Sequence, residues 1–236
     1  MRGLGVRFSP AAPVLMAKNI FYRHEIPVAE QLMPYRDNLL SEFLAYHTDF
    51  IDGEFAKGEI VDTGFDISTY RENTNDWRNT GIKYNKDTYT YRMPTEQAQF
   101  FPTANKIVDY LGDDCPVCTY SVMEPHTVIK RHFGPDHYFQ DSINNRQVEF
   151  IRIHIPLIIP DGDVFFEVAG EEVRWDDIFA FDNQKLHSAY NLTDQRRLIF
   201  LIDIRRSRIR MPPGEYYTKE QQEIDLAIPF ERKKWN

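Results

Sequence analysis

Apolar residues recur at helical spacing in the first half of the chain and at strand spacing in the second. Over 29–47, Leu32, Leu39, Leu40, Phe43 and Leu44 lie at spacings near three and four, the stripe of an amphipathic helix. A second helical stretch is expected over 95–111, in two pieces. Thr95 can serve as its N-cap, and Glu96 places negative charge in the first turn. Pro102 should break the helix near Phe101, and Gly112 should stop it. Between these helical regions, 51–93 is polar and turn-rich, with short extended pieces expected around 58–65 and 88–93.

From residue 115 the period becomes two. Segments 116–123, 148–159, 164–168, 172–181 and 197–205 are rich in Val, Ile, Phe and Tyr. The runs Asp161-Gly162-Asp163 and Ala169-Gly170-Glu171-Glu172 mark turns between them. Short strands separated by turns, with no helix between, predict an antiparallel sandwich or barrel. The expected organisation is one domain: an N-terminal extension over 1–15, a helical and irregular part over 16–114, a β-core over 115–206, and a tail over 207–236. The tail is helix-compatible around 218–228.

Composition narrows the possibilities. A chain of 236 residues, 42% hydrophobic and 14% aromatic, can bury one full core. The net charge of −8 argues against a nucleic-acid binder, which would carry a basic field. No apolar run approaches the roughly 18 residues that cross a bilayer, so a soluble, cytoplasmic protein without membrane partners is expected. Residues 1–24 contain Arg2, Arg7, Lys18 and Arg23 but no acid, a faint echo of a transit peptide. Ser9, Pro10 and Pro13 interrupt any secretory apolar run, and the plainer expectation is that Met16 is the true start. Cys115 and Cys118 form a C-P-V-C motif. A redox site wants that spacing at a strand end opening a helix, and a zinc site wants a second pair. Neither condition holds, so structural thiols in a reducing compartment are expected.

Strand alternation then singles out charged positions. In 148–157, Arg152 and His154 share one face, while Ile151, Ile153, Ile155 and Leu157 share the other. An Arg and a His turned inward need an anion to satisfy them; turned outward they make an ordinary polar face. In 197–205, Arg197, Ile199, Leu201 and Asp203 share one face, opposite Leu198, Phe200, Ile202 and Ile204. Arg197 follows His187 by ten residues and can reach the same barrel mouth, where its guanidinium would grip a carboxylate in bidentate fashion. Arg196 points the other way, toward solvent or a covering element. His132 and His187 each sit where a strand meets a loop; on facing strands they could offer neutral imidazoles to a transition metal, and taken singly each reads as an ordinary polar residue.

Four runs carry a family resemblance: Tyr120-Ser121-Val122-Met123-Glu124-Pro125, His132-Phe133-Gly134-Pro135, Arg152-Ile153-His154-Ile155-Pro156-Leu157, and Phe181-Asp182-Asn183 through His187 to Arg197-Leu198-Ile199-Phe200. In order and spacing they resemble the aspartyl/asparaginyl β-hydroxylase family of Fe(II)- and 2-oxoglutarate-dependent oxygenases, over about 75–206; Trp77-Arg78-Asn79-Thr80-Gly81 also fits. The resemblance implies a mainly β fold with flanking helices on a double-stranded β-helix (jelly-roll, cupin-like) core. It implies His132 and His187 as Fe(II) ligands, with Arg197 and Ser121 on the distal carboxylate of 2-oxoglutarate. Arg152 and His154 would lie beside the metal-chelating end, and Met123 would line the cosubstrate pocket. The implied reaction consumes O₂ and 2-oxoglutarate, releases succinate and CO₂, and hydroxylates an unactivated C–H bond.

One position departs from the wider superfamily. The acid normally found two residues after the first histidine is Gly134 here, a replacement the β-hydroxylase branch also tolerates, with water filling the vacancy. Asp136 is a second candidate ligand at the wrong spacing. An open coordination position also admits an iron-dependent halogenase, and a third reading is a non-catalytic cupin-like binding module. The implied substrate is a free amino acid, a peptide or protein Asp/Asn residue, or a related small molecule. The loop over 136–146 reads equally as a lid or substrate contact and as an ordinary solvated loop, and Arg131 or Arg146 is a candidate contact for a substrate carboxylate.

Overall fold

Prolines divide the helical part more finely than its apolar stripe suggests. The computed structural model describes residues 19–51, 77–86, 89–132, 140–141, 146–147, 150–173 and 175–209. The expected extension over 1–15, the extended piece over 58–65 and the tail beyond 209 lie outside them. The chain begins with β1 (Ile20–Tyr22), α1 (Pro27–Leu32) and α2 (Arg36–Tyr46). The single helix expected over 29–47 is therefore two. Pro34 has no N–H to donate and crowds the preceding turn, and a short 3-10 segment (Met33–Tyr35) intervenes. Next come β2 (Trp77–Lys86) and β3 (Tyr89–Arg92), then α3 (Thr95–Ala98) and α4 (Pro102–Leu111). Pro94, not Thr95, occupies the cap position of α3. Pro102 opens α4, where its missing N–H costs nothing, and Gly112 ends it at φ 57°.

The remaining strands are β4 (Val117–Met123), β5 (Thr127–His132), β6 (Gln140–Asp141), β7 (Arg146–Gln147), β8 (Phe150–Ile158), β9 (Val164–Val168), β10 (Glu171–Val173), β11 (Phe179–Asp182), β12 (His187–Asn191) and β13 (Arg197–Arg205). The strand expected over 172–181 is split. β10 pairs with β9 in one sheet, and after the turn at Trp175 the chain crosses to pair β11 with β8 in the other. The larger sheet runs β1-β11-β8-β13-β4-β2-β3 and the smaller β10-β9-β12-β5, with every pairing antiparallel. This is a jelly roll of the cupin type. Three strands N-terminal to residue 115 belong to the larger sheet, so the polar stretch 51–93 contains a long strand, β2, that its composition hid. Among the described residues no helix is long and apolar enough to cross a membrane.

Alternation decides what each face of the large sheet meets. Ile151, Ile153, Ile155 and Leu157 of β8 and Leu198, Phe200, Ile202 and Ile204 of β13 are buried with Leu39 and Phe43 of α2 and Ile107 and Leu111 of α4. The opposite face turns between the two sheets, beside Met123, Phe166, Val168, Phe179, Phe181 and Ile199. Each such side chain fully buried contributes about 1.5–3 kcal/mol. A one-residue slip of β13 would turn four of them away from the helices and bring its charged residues beneath them, so the register is strongly specified.

Candidate active site

The inward row of β8 and β13 carries the charges. Asp203 lies directly opposite Arg152. It accepts hydrogen bonds from the Arg152 Nε at 2.6 Å and from a terminal guanidinium nitrogen at 2.7 Å. The anion needed to bring Arg152 inside is thus, in part, the protein's own. Asp203 has no role in the sequence reading, although its place on the Arg197 face was the available signal.

On the facing sheet, His132 and His187 are cross-strand partners, and their ring centres are 4.2 Å apart. The His187 Nδ1 donates to the Lys185 carbonyl at 2.7 Å. That contact fixes the tautomer and leaves Nε2 as a lone-pair donor, the arrangement of a metal-binding imidazole. Burial, then the neighbouring His132, holds the His187 pKa well below the usual histidine value, so its ring is neutral. Two imidazoles this close can reach one ion at the usual metal–nitrogen distance of about 2.0–2.1 Å. Among the described residues no cluster of three or more His, Cys, Asp or Glu completes a metal site. Gly134 and Asp136 lie outside the described residues, as does the loop 142–145.

Behind the histidines lie buried polar atoms that lack hydrogen-bond partners, on Arg197 and His154. Arg197 is 2% exposed. One terminal nitrogen sits 3.4 Å from the Ser121 hydroxyl, the guanidinium lies 5.0 Å from the Trp175 ring centre, and Nε has no partner. Burial draws its pKa down to about 9, which still leaves it charged at neutral pH. His154 is enclosed by Phe166, Phe179 and Phe181 and stacks on Trp175 at 5.6 Å, with both ring nitrogens buried and unbonded. Burial, then Arg152 and Arg197, holds its pKa well below the usual value. Ser121, His132, Arg152, His154, His187 and Arg197 all line one cavity. Met123, the cross-strand partner of Arg197, is buried in the inner cluster beside that cavity and is not among its lining residues.

Leaving a buried charged donor without an acceptor costs several kcal/mol, so this constellation fits an anionic ligand at Arg197 and a metal at the histidines. Trp175 was missed by the sequence reading because it falls in a turn between sheets. Arg131, a candidate for a substrate carboxylate, is instead bound to the buried Glu167 of β9. Arg196 points away from the cavity, as expected, to Glu124 and the Phe50 carbonyl.

Fold and cavity together define a cupin-like jelly roll in which two histidines and a buried arginine line one cavity. A family model described as Aspartyl/Asparaginyl beta-hydroxylase matches residues 24–207. The chain therefore belongs to the aspartyl/asparaginyl β-hydroxylase family and is a hydroxylase of the oxygenase type. The match begins well before the motifs, which span about 75–206, and takes in both α1 and α2. None of the curated proteins matches the chain significantly. Similar solved structures include a Pseudomonas putida prolyl-4-hydroxylase, 11% identical with a TM-score of 0.41, covering 81% of this chain and 94% of that one. A viral collagen prolyl hydroxylase from Paramecium Bursaria Chlorella virus-1 is 14% identical with a TM-score of 0.35, covering 55% of this chain and 79% of that one. An oxidoreductase of the 2OG-Fe(II) oxygenase family from Burkholderia pseudomallei is 15% identical with a TM-score of 0.36, covering 58% and 71%.

Proposed function

We propose that this chain is an Fe(II)- and 2-oxoglutarate-dependent dioxygenase that hydroxylates an unactivated C–H bond of a free amino acid, a peptide or protein Asp/Asn residue, or a related small molecule. The observation that carries this is the pairing, in one cavity, of His132 and His187 with a buried Arg197 that no carboxylate among the described residues contacts.

In this reading His132 and His187 hold Fe(II) and Arg197 binds the distal carboxylate of 2-oxoglutarate. Bound there, iron with 2-oxoglutarate and O₂ supplies the oxidising power that places a hydroxyl on carbon. The chain's own part is position and exclusion. Lys185 holds the His187 ring so that Nε2 faces the metal. Arg197, with Ser121 beside it, offers a guanidinium already stripped of water, which strengthens its grip on a carboxylate. Asp203 cancels the charge of Arg152, so the second guanidinium does not compete with Arg197 for the same anion. His154, neutral and walled by three Phe rings and Trp175, keeps the metal-facing side of the cosubstrate pocket dry. The free, buried Cys115 and Cys118 support a reducing, cytoplasmic setting.

The test is an anaerobic titration of purified apo-protein with Fe(II) and 2-oxoglutarate, watched for the visible metal-to-ligand charge-transfer band. The band should appear in the wild type and be lost in His132→Ala and His187→Ala. Folded wild-type protein without a band would leave only a jelly-roll binding module.

A further inference from the structure

The outer face of the small sheet, behind the two histidines, carries a buried carboxylate. Glu167 is fully buried and lies on β9 directly opposite Ser188 of β12. Its oxygens accept from the Arg131 Nε at 3.2 Å, an Arg131 terminal nitrogen at 3.0 Å, the Ser188 hydroxyl at 3.0 Å and the Gly170 backbone N–H. Arg131 and Ser188 are the immediate chain neighbours of His132 and His187. Because side chains alternate, the inward row His132, His187, Val168 is backed by the outward row Arg131, Ser188, Glu167 across β5, β12 and β9.

A strap is needed at this level. The β12–β5 ladder shifts register between His187 and Ala189, so its backbone bonds are irregular where the two imidazoles must be spaced. The Arg131–Glu167–Ser188 bridge crosses that irregularity on the other side. Through Gly170 it also fixes the β9–β10 turn, whose Ala169 N–H donates to the Leu186 carbonyl at 2.7 Å, one residue before His187. Burying a carboxylate is unfavourable unless it is paired and hydrogen-bonded, and Glu167 is both.

We infer that Glu167 is a positioning residue for the metal pair, setting the His132–His187 spacing through Arg131 and Ser188. This rests on the histidines being metal ligands, as proposed above. The probe is Co(II) alone, added to apo-protein without cosubstrate, with affinity read by titration and geometry by the ligand-field bands. Glu167→Gln should bind Co(II) about 10- to 100-fold more weakly than the wild type, the usual loss for an outer-shell partner, with shifted bands. Ser188→Ala, which keeps the Arg131 pair and tests the idea if Glu167→Gln does not fold, should show a smaller loss with a shift in the same direction. Tyr120→Phe loses a buried hydrogen bond to the Leu39 carbonyl in the helical cluster and should leave both readouts unchanged despite any drop in stability. Wild-type affinity and bands in Glu167→Gln, or in Ser188→Ala if Glu167→Gln does not fold, would overturn the inference while the metal site stood. Wild-type protein that bound Co(II) no better than His132→Ala would overturn both.

Discussion

Arg152 and Asp203 face one another across β8 and β13 and are joined by two parallel hydrogen bonds of 2.6 and 2.7 Å. Their side chains are 14% and 3% exposed, so the pair is largely out of water. Breaking such a pair from one side strands the other charge. Asp203→Ala is expected to cost about 3–5 kcal/mol, whereas Asp203→Leu combined with Arg152→Met should cost less than the two single changes added. Urea unfolding of the wild type, Asp203→Ala, Asp203→Leu, Arg152→Met and the double variant measures this. A loss below about 1 kcal/mol for Asp203→Ala would show the pair to be compensated by solvent.

Arg197 and Arg196 are adjacent in sequence and opposite in direction. Arg197→Ala should abolish 2-oxoglutarate binding with the fold intact, and Arg197→Lys should restore little, because an ammonium cannot form the planar two-point contact. Arg196→Ala should bind 2-oxoglutarate normally but lose about 1.5–3 kcal/mol of stability, since Arg196 ties β13 to Glu124 and to the Phe50 carbonyl. Calorimetric titration and urea unfolding separate the two effects. If both alanine variants lost the cosubstrate equally, the assigned strand faces would be wrong.

Most of the site's inner wall was legible in the sequence because period-two alternation is enforced by burial: Leu198, Phe200, Ile202 and Ile204 must meet the helices, which turns Arg197 and Asp203 inward. Strands over 164–168 and 197–205 were bounded correctly for the same reason. What escaped depended on contacts between distant segments. β2 is a strand because it lies against β4, and in its own sequence Arg78, Asn79, Gly81, Asn85 and two lysines dilute the strand formers Trp77, Thr80, Ile82 and Tyr84. The break of β10 from β11 follows from a change of sheet at Trp175, which no local pattern records. Glu167 reads as an acid in an apolar strand, and only its partners on β5 and β12 explain its burial.

Among the described residues three histidines are buried, and each contributes to the response of the apo-protein to acid. Burial lowers His47 from 6.5 to about 4, and burial also holds His154 and His187 well below the ordinary value. A lowered histidine pKa means the unfolded chain takes up a proton before the folded one does. Stability is therefore full above about pH 6.5 and falls as pH drops below it, continuing down to about 4 for His47. The His47 share is on the order of 3 kcal/mol. Urea midpoints from pH 7.5 to 4.5 should decline, and His47→Asn should flatten part of the slope. A midpoint independent of pH would contradict the burial of these rings.

Cys118 is buried among apolar side chains, and burial, then its contact with Cys115, raises its thiol pKa well above the usual value. A protonated, enclosed thiol is a poor nucleophile. Cys115 is equally enclosed. Native protein at pH 8 should resist iodoacetamide at both cysteines because neither is accessible, and the urea-unfolded chain should react at both, as counted by intact mass. Alkylation of native Cys115 or Cys118 at the unfolded rate would restore a reactive role for the C-P-V-C motif.

Metal binding should register as stability, because the two histidines come together only in the folded chain. His132 and His187 sit on β5 and β12, fifty-five positions apart in sequence, and no local segment of the unfolded chain reproduces their 4.2 Å ring separation. A ligand that binds only the native state stabilises it by about 2.7 kcal/mol at one hundred times its dissociation constant. For a chain of this length each kcal/mol raises Tm by about 2–4 °C, so anaerobic Fe(II) at that excess should raise it by about 5–11 °C. Removal of the metal by a chelator should reverse the rise, and His187→Ala should show none. Adding 2-oxoglutarate should give a further increase in the wild type that Arg197→Ala lacks, because the second increment depends on the guanidinium and the first does not. A metal-induced rise retained in His187→Ala would place the ion elsewhere in the molecule.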